Sequence, residues 1–255
     1  MTARKTPLVW LLPILALLVA PARAELANTI ERIKPALVVV GTFNKLKSPS
    51  FAMRGTGFVV GDGRLVATNS HVIPATLDAA SGQDSLMVLA RQGAATRPLP
   101  AQLVARDTAH DLALLRIAGP PLPALPLGDS AAVREGQAVA FSGFPIGGVL
   151  GFSPVTHRGI VSSITPIAIP QGNAQQLNDA SIRRLRSGTF DIFQLDATAY
   201  PGNSGGPLFD PATGEVLGIL NMVFVKSTKE AVLEKPSGIS YAIPVRHLID
   251  LLERK

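Results

Sequence analysis

Four prolines crowd residues 118–126, at positions 120, 121, 123 and 126. Proline has no N–H to give a strand ladder, so this stretch cannot be a central strand. It divides the chain into two series of short apolar segments punctuated by Gly, Pro and Asp turns. The first series covers residues 36–42, 57–60, 64–68, 85–90, 101–105 and 112–117, with Gly61-Asp62-Gly63 as a hairpin turn. The second covers 138–142, 149–152, 159–164, 190–195, 207–209, 216–224 and 239–243. Helical periodicity is confined to the ends. Near the start, Thr29 is placed to cap a short helix with Ile30 and Ile33 on its apolar face, and Pro35 stops it. At the end, Pro244 suits a first turn, Val245, Leu248, Ile249 and Leu252 fall at helical spacing, and Arg254 and Lys255 close it. The pattern predicts an all-β chain of two small β-barrels, about 36–118 and 135–243, with a short N-terminal helix and a C-terminal helix over 244–255.

The first 24 residues read as a segment to be removed. Arg4 and Lys5 give a positive start, 8–20 is an apolar run interrupted by Pro13, and Ala22-Arg23-Ala24 is a small-x-small cleavage site. The run is short for a membrane span, which needs about 20 residues. Residues 25–255 are then the working domain, with no stable membrane insertion expected once the leader is gone. Losing Arg4, Lys5 and Arg23 lowers the net charge from +6 to +3, too mild a basicity to argue for nucleic acid. There is no cysteine, which excludes disulfides and thiolate metal sites and suits an oxidising compartment.

Chemistry concentrates at Pro201-Gly202-Asn203-Ser204-Gly205-Gly206-Pro207-Leu208. A serine in such a turn can offer its hydroxyl while backbone N–H groups crowd one side of it, as acyl transfer requires. The same residues also fit the looser Gly-x-Ser-x-Gly elbow of another hydrolase fold, and glycine clusters often mark ordinary turns. A base must come from His71, His110, His157 or His247. His71 follows a strand end and begins a turn that projects it, leaving a full barrel between it and the serine. Asp111 opens the apolar run Leu112-Ala113-Leu114-Leu115, where a carboxylate is costly unless hydrogen-bonded. Holding an imidazole N–H would satisfy it and fix the tautomer; alternatively it merely caps a strand. The elbow reading needs the order serine, acid, histidine. Only His247 follows Ser204, in the closing helix, and the strand–helix alternation of that fold is missing.

Three signals thus stand in the order His71, Asp111, Ser204. The sequence resembles trypsin-like serine proteases of the HtrA (Deg) family. The resemblance rests on Ala67-Thr68-Asn69-Ser70-His71-Val72, Asp111-Leu112-Ala113-Leu114-Leu115-Arg116-Ile117, and Asp196-Ala197 leading to Gly202-Asn203-Ser204-Gly205-Gly206-Pro207-Leu208. Gly218-Ile219 and Gly238-Ile239-Ser240-Tyr241-Ala242-Ile243-Pro244 extend it. It implies a trypsin-like double β-barrel with the active site in the cleft between barrels. It assigns Ser204 as nucleophile, His71 as general base then acid, and Asp111 as the group that orients His71. The oxyanion hole would lie at Gly202, Asn203 and Ser204, with the N–H groups of Gly202 and Ser204 as donors. No metal or organic cofactor is implied. The partners implied are protein or peptide substrates, unfolded or misfolded proteins above all, and the compartment is the periplasm. Trimer-forming members of the family make a homotrimer an option that the sequence does not itself display. A rival of another class is a protease fold that holds unfolded chains with little turnover; the presence of all three residues counts against it.

Several positions depart from relatives. Asn203 stands where digestive proteases carry an aspartate that pairs with a newly cut N-terminus, so activation by such a cut is not expected. Thr198 stands where a trypsin-like pocket carries its carboxylate, so cleavage after Lys or Arg is disfavoured. Thr198, Tyr200, Asn221 and Met222 are the substrate-binding candidates, and the resemblance implies cleavage after Val, Ala or Ile. Residues 170–188 are polar, carry Arg183, Arg184 and Arg186, and are expected to form a regulatory or docking loop. Typical members continue into PDZ domains, whereas this sequence ends after the helix.

Overall fold

Closing a sheet on itself removes its edges, and the chain uses this solution twice. The computed structural model describes residues 22–74, 84–93, 95–145, 152–166, 190–221 and 239–255. Strands β1 (Leu37–Phe43), β2 (Phe51–Val60), β3 (Leu65–Asn69), β4 (Ser85–Gln92), β5 (Ala95–Asp107) and β6 (Leu112–Ile117) close a first barrel in the order β1-β2-β3-β6-β5-β4. Strands β7 (Ala138–Gly143), β8 (Val155–Pro166), β9 (Asp191–Asp196), β10 (Pro207–Phe209), β11 (Val216–Asn221) and β12 (Ile239–Pro244) close a second as β10-β11-β12-β9-β8-β7. All pairings within the barrels are antiparallel. The apolar runs Leu37–Val40, Phe58–Val60 and Leu112–Leu115 fill the first barrel, and Phe141, Phe193, Leu195, Leu208 and Leu220 fill the second.

The proline stretch binds both barrels. Leu122 N–H donates to Gly63 O at 2.8 Å and Leu125 N–H to Val59 O at 2.9 Å, both in the first barrel. Val216 N–H of the second barrel donates to Pro126 O at 2.9 Å. It is a strap along the seam rather than a free linker.

The helices differ from expectation in detail. Helix α1 spans Ala22–Ile33, so Thr29 lies inside it. Buried Thr29 donates its hydroxyl to Ala212 O at 3.1 Å, docking α1 on the β10–β11 turn instead of capping it. Helix α2 spans Arg246–Glu253, because Pro244 finishes strand β12 opposite Gly218. Phe152 lies in a bend, so no strand covers it, while 149–151 are outside the described residues. Among the described residues no helix is long and apolar enough to cross a membrane.

Helix α2 brings His247 onto His110, ring centroids 4.0 Å apart, with Phe190 edge-on to both. Burial pushes His247 down to about 4; the His110 and Arg246 charges push the same way, and Asp250 and Asp107 oppose them. The folded state therefore resists a proton that the unfolded chain accepts below about 6.5. Stability from this group is present above pH 6.5 and is lost as pH falls towards 4, in total on the order of 3 kcal/mol. His157, lowered by burial, acts in the same direction. So does Asp107: burial would raise it, but hydrogen bonds from His110 and Arg254 hold it below the usual carboxylate range. His247→Phe is therefore expected to flatten the loss of stability between pH 6.5 and 4.5, read as urea midpoints compared with wild type. An unchanged slope would show that His247 titrates normally.

Candidate active site

The β3–β6 register decides which residues meet. Leu65 lies opposite Arg116 and Asn69 opposite Leu112, so one step beyond the ladder Ser70 faces Asp111. The contact is closed by Ser70 N–H to Asp111 O at 2.9 Å and Asn69 Nδ2 to the same carbonyl at 3.2 Å. A 3-10 turn over Ser70–Val72 then lifts His71 over the Asp111 side chain. His71 Nδ1 lies 2.7 Å from Asp111 Oδ2, and His71 backbone N–H donates to Oδ1 at 2.9 Å. Asp111 is 4% exposed and adopts φ +54°, a left-handed conformation that Asp tolerates better than most residues. Buried and in contact with both the His71 ring and the His71 N–H, its side chain holds the histidine rather than capping a strand.

The second barrel brings the serine. Gly205 N–H donates to Leu220 O and Leu220 N–H to Gly206 O, both at 2.9 Å, fixing the end of the turn to β11. Its start is a turn closed by Asn203 N–H to Tyr200 O at 3.0 Å, with Pro201 second and Gly202 third at φ +102°. Proline second and a positive-φ glycine third is the type II signature. Asn203, Gly205 and Gly206 spend their N–H groups inside this structure. Among the described residues neither the Gly202 N–H nor the Ser204 N–H meets a protein acceptor. Of the three expected oxyanion residues, Asn203 thus contributes no backbone donor. Its side chain is wholly buried, and its amide atoms have no partner among the described residues.

Asn221, expected among the substrate-binding residues, meets Asp111. It ends β11 with no exposure, and its Nδ2 donates to Asp111 Oδ2 at 2.7 Å across the seam between barrels. Thr198 and Tyr200 are half-buried on the segment that Ser240 pins by accepting Ala199 N–H at 3.0 Å and donating to Ala197 O at 2.7 Å. Met222 and residues 170–188 lie outside the described residues. The other histidines do not reach the serine turn's partner carboxylate: His110 binds Asp107 at 2.9 Å and stacks on His247, and His157 packs between Phe141 and Tyr200.

Thr56 was missed altogether, for a mid-strand threonine carries no signal of its own. Its hydroxyl donates to Gly202 O at 2.6 Å and accepts Phe144 N–H at 3.0 Å, while its N–H donates to Ser204 O at 2.9 Å. One buried side chain of the first barrel thereby shapes the serine turn of the second. Thr56→Val is expected to leave two buried groups unpaired, costing about 2–4 kcal/mol in a denaturant midpoint. Turnover is expected to fall about tenfold as the turn loosens. Unchanged stability and turnover would mean that water replaces the hydroxyl.

A model of the trypsin-like peptidase domain matches residues 55–219. A Halomonas elongata protein named as a probable periplasmic serine endoprotease, DegP-like, is 34% identical over 201 residues, covering 78% of this chain and 34% of that protein. The serine protease HTRA1A of Danio rerio is 32% identical over 223 residues, covering 86% of this chain and 39% of its own length. The chain therefore spans about a third of the length of the curated relatives it matches. Among solved structures, the HtrA-type protease AlgW with a tripeptide is 30% identical with a TM-score of 0.63, covering 89% of this chain and 62% of the other. Deg5, at 24% identity and a TM-score of 0.66, covers 90% of this chain and 93% of its own, and speaks for the fold alone.

Proposed function

The chain belongs to the trypsin-like serine peptidases of the HtrA type, and from that premise we propose that it cuts peptide bonds with His71, Asp111 and Ser204 as its catalytic triad. Ser204 Oγ attacks the substrate carbonyl and its proton passes to His71 Nε2. The oxyanion that forms accepts from the Gly202 and Ser204 N–H groups. Collapse of the intermediate breaks the C–N bond, and the leaving amine takes the proton from His71. Water then repeats the sequence on the acyl-enzyme and frees Ser204. Asp111 holds the His71 tautomer with its proton on Nδ1.

The observation that carries this reading is the convergence on the Asp111 carboxylate of three donors: His71 Nδ1 at 2.7 Å, His71 N–H at 2.9 Å and Asn221 Nδ2 at 2.7 Å. A carboxylate that accepts these donors orients the imidazole and stabilises an imidazolium beside it. Two further elements extend the proposal. The substrates are unfolded or misfolded proteins cut after small or medium apolar residues, in line with the uncharged Thr198. The place of work is the periplasm, with residues 1–24 as leader, in line with the compartment in the name of the Halomonas relative.

The test is to incubate the protein with an unfolded protein substrate and, separately, with a fluorophosphonate probe, then to map the adduct. Fragments of the substrate and an adduct on Ser204 are expected. An absence of both, or an adduct on another serine, would overturn the reading.

A further inference from the structure

The loop that delivers Asp111 is held from its own base and from outside. Asp107 and Leu112 are the last pair of the β5–β6 ladder, and residues 108–111 form the loop between them. Asp107 Oδ1 accepts Ala109 N–H and His110 N–H, each at 3.0 Å, the way aspartates commonly fold a chain back on themselves. Its Oδ2 accepts His110 Nδ1–H at 2.9 Å and, from just past helix α2, Arg254 Nη2–H at 3.2 Å. His110 is thus locked by backbone and by ring, and the next residue leaves at φ +54°. His110 and Asp111 share a peptide unit, so a rotation at one re-aims the other's side chain.

One face of the His110 ring is covered by helix α2. His247 stacks on it at 4.0 Å with the planes 17° apart, and Phe190, which leads into β9 of the second barrel, stands edge-on to both. His247 is buried, and its Nε2 has no partner among the described residues, so it serves as a flat ring. We propose that His110 is a positioning residue for the Asp111–His71 pair, and that helix α2 holds it in place through His247 and Arg254. The inference rests on reading Asp111 and His71 as catalytic, and it adds an element outside the triad on which their geometry depends. Acid releases this clamp. The charged groups that bear on His247 are His110 and Asp107 of the loop and Arg246 and Asp250 of its own helix. Burial, then the His110 and Arg246 charges, hold it down to about 4, so a proton enters at higher pH only as the ring leaves the stack. The clamp is therefore complete above about pH 6.5 and is lost as pH falls towards 4. Asp111 then turns, and the His71 Nδ1–H loses its acceptor.

The test follows kcat on a peptide ester from about pH 7.5 to about pH 4, within the range where circular dichroism shows the protein folded. Beside it, the low-field proton resonance of the His71 Nδ1–H, assigned by its loss in His71→Ala, reads the bond to Asp111 without turnover. Wild type should lose activity through two protons, one on the base and one on the clamp, so log kcat falls with a slope approaching about two below about pH 5. His247→Phe keeps the stack and takes no proton. Its slope should stay near about one, with kcat at about pH 7.5 within about twofold of wild type. Arg254→Gln should move the steep part to higher pH. His110→Ala should lower kcat about tenfold at about pH 7.5, with KM within about threefold, and weaken the resonance. His110→Asn, which places an amide N–H where the ring Nδ1–H stood, should recover part of both. A merely structural role would lower the unfolding temperature of these variants and leave the shape of the pH profile alone. Ester turnover with one acid limb shared by wild type and His247→Phe overturns the clamp and leaves the peptidase reading intact. Absent turnover, with a resonance that acid removes from wild type and not from His247→Phe, overturns the peptidase reading and keeps the clamp.

Discussion

Asp111→Asn is expected to lower kcat by about 10⁴ with little change in the backbone. Oδ1 accepts the His71 N–H, and Oδ2 accepts both His71 Nδ1–H and Asn221 Nδ2–H. An amide has one acceptor oxygen for these two places. Placed at Oδ1, it turns its NH₂ towards His71 Nδ1, which must then carry the lone pair, so the ring proton moves to Nε2 where a base is needed. Placed at Oδ2, it sets its NH₂ against the His71 N–H. The first arrangement costs less, because the Asn221 amide can turn to offer its oxygen. The substrate-saturated rate on an unfolded protein, measured beside thermal unfolding, checks this. A fall of less than tenfold in a folded variant would mean that His71 is held without the carboxylate. Asn221→Ala makes the complementary change, since it removes one donor and leaves the acceptor intact.

What the sequence made legible follows from how each contact is encoded. Local chemistry was readable: the proline strap, the hairpin at Gly61-Asp62-Gly63, and the glycine-rich turn all show in adjacent residues. The pairing of His71 with Asp111 was also within reach, because both sit one step past strands whose apolar runs announce them. The β3–β6 register supplies the contact across 40 positions of sequence. Thr56 and Asn221 were not legible in their roles. Each acts across the seam, where the partner is set by how two barrels meet and not by periodicity along one chain. Asn221 was assigned to the pocket because its neighbours in sequence suggested it; its contact with Asp111 depends on how the two barrels meet. Helix ends failed for a related reason. Thr29 has the chemistry of a cap, but its hydroxyl found a carbonyl on the β10–β11 turn. Pro244 suits a first turn, but pairing with Gly218 kept it in the strand.

Gly202 and Gly205 stand on either side of Asn203-Ser204 and separate catalysis from stability. Both have positive φ, +102° and +85°, so any side chain is strained at either position. A Cβ on Gly205 would lie 2.2 Å from Thr56 O and 2.3 Å from Thr68 Oγ1, forcing the barrels apart, and the Gly205 N–H is already bound to Leu220 O. Gly205→Ala should therefore act first on folding. A Cβ on Gly202 would lie 2.3 Å from Phe144 O. The cheapest relief there is to rotate the Pro201–Gly202 peptide out of its type II form, which redirects the Gly202 N–H, one of the two in this turn that meet no protein acceptor among the described residues. Gly202→Ala is accordingly expected to lower kcat by about 10²–10³, the loss of one oxyanion donor, with KM changed by less than about threefold. Fluorophosphonate labelling of Ser204 should slow to a similar degree, since the probe's oxygen develops charge at the same place. Equal labelling rates in Gly202→Ala and wild type would remove Gly202 from the oxyanion hole and leave the Ser204 N–H as its backbone donor from this turn.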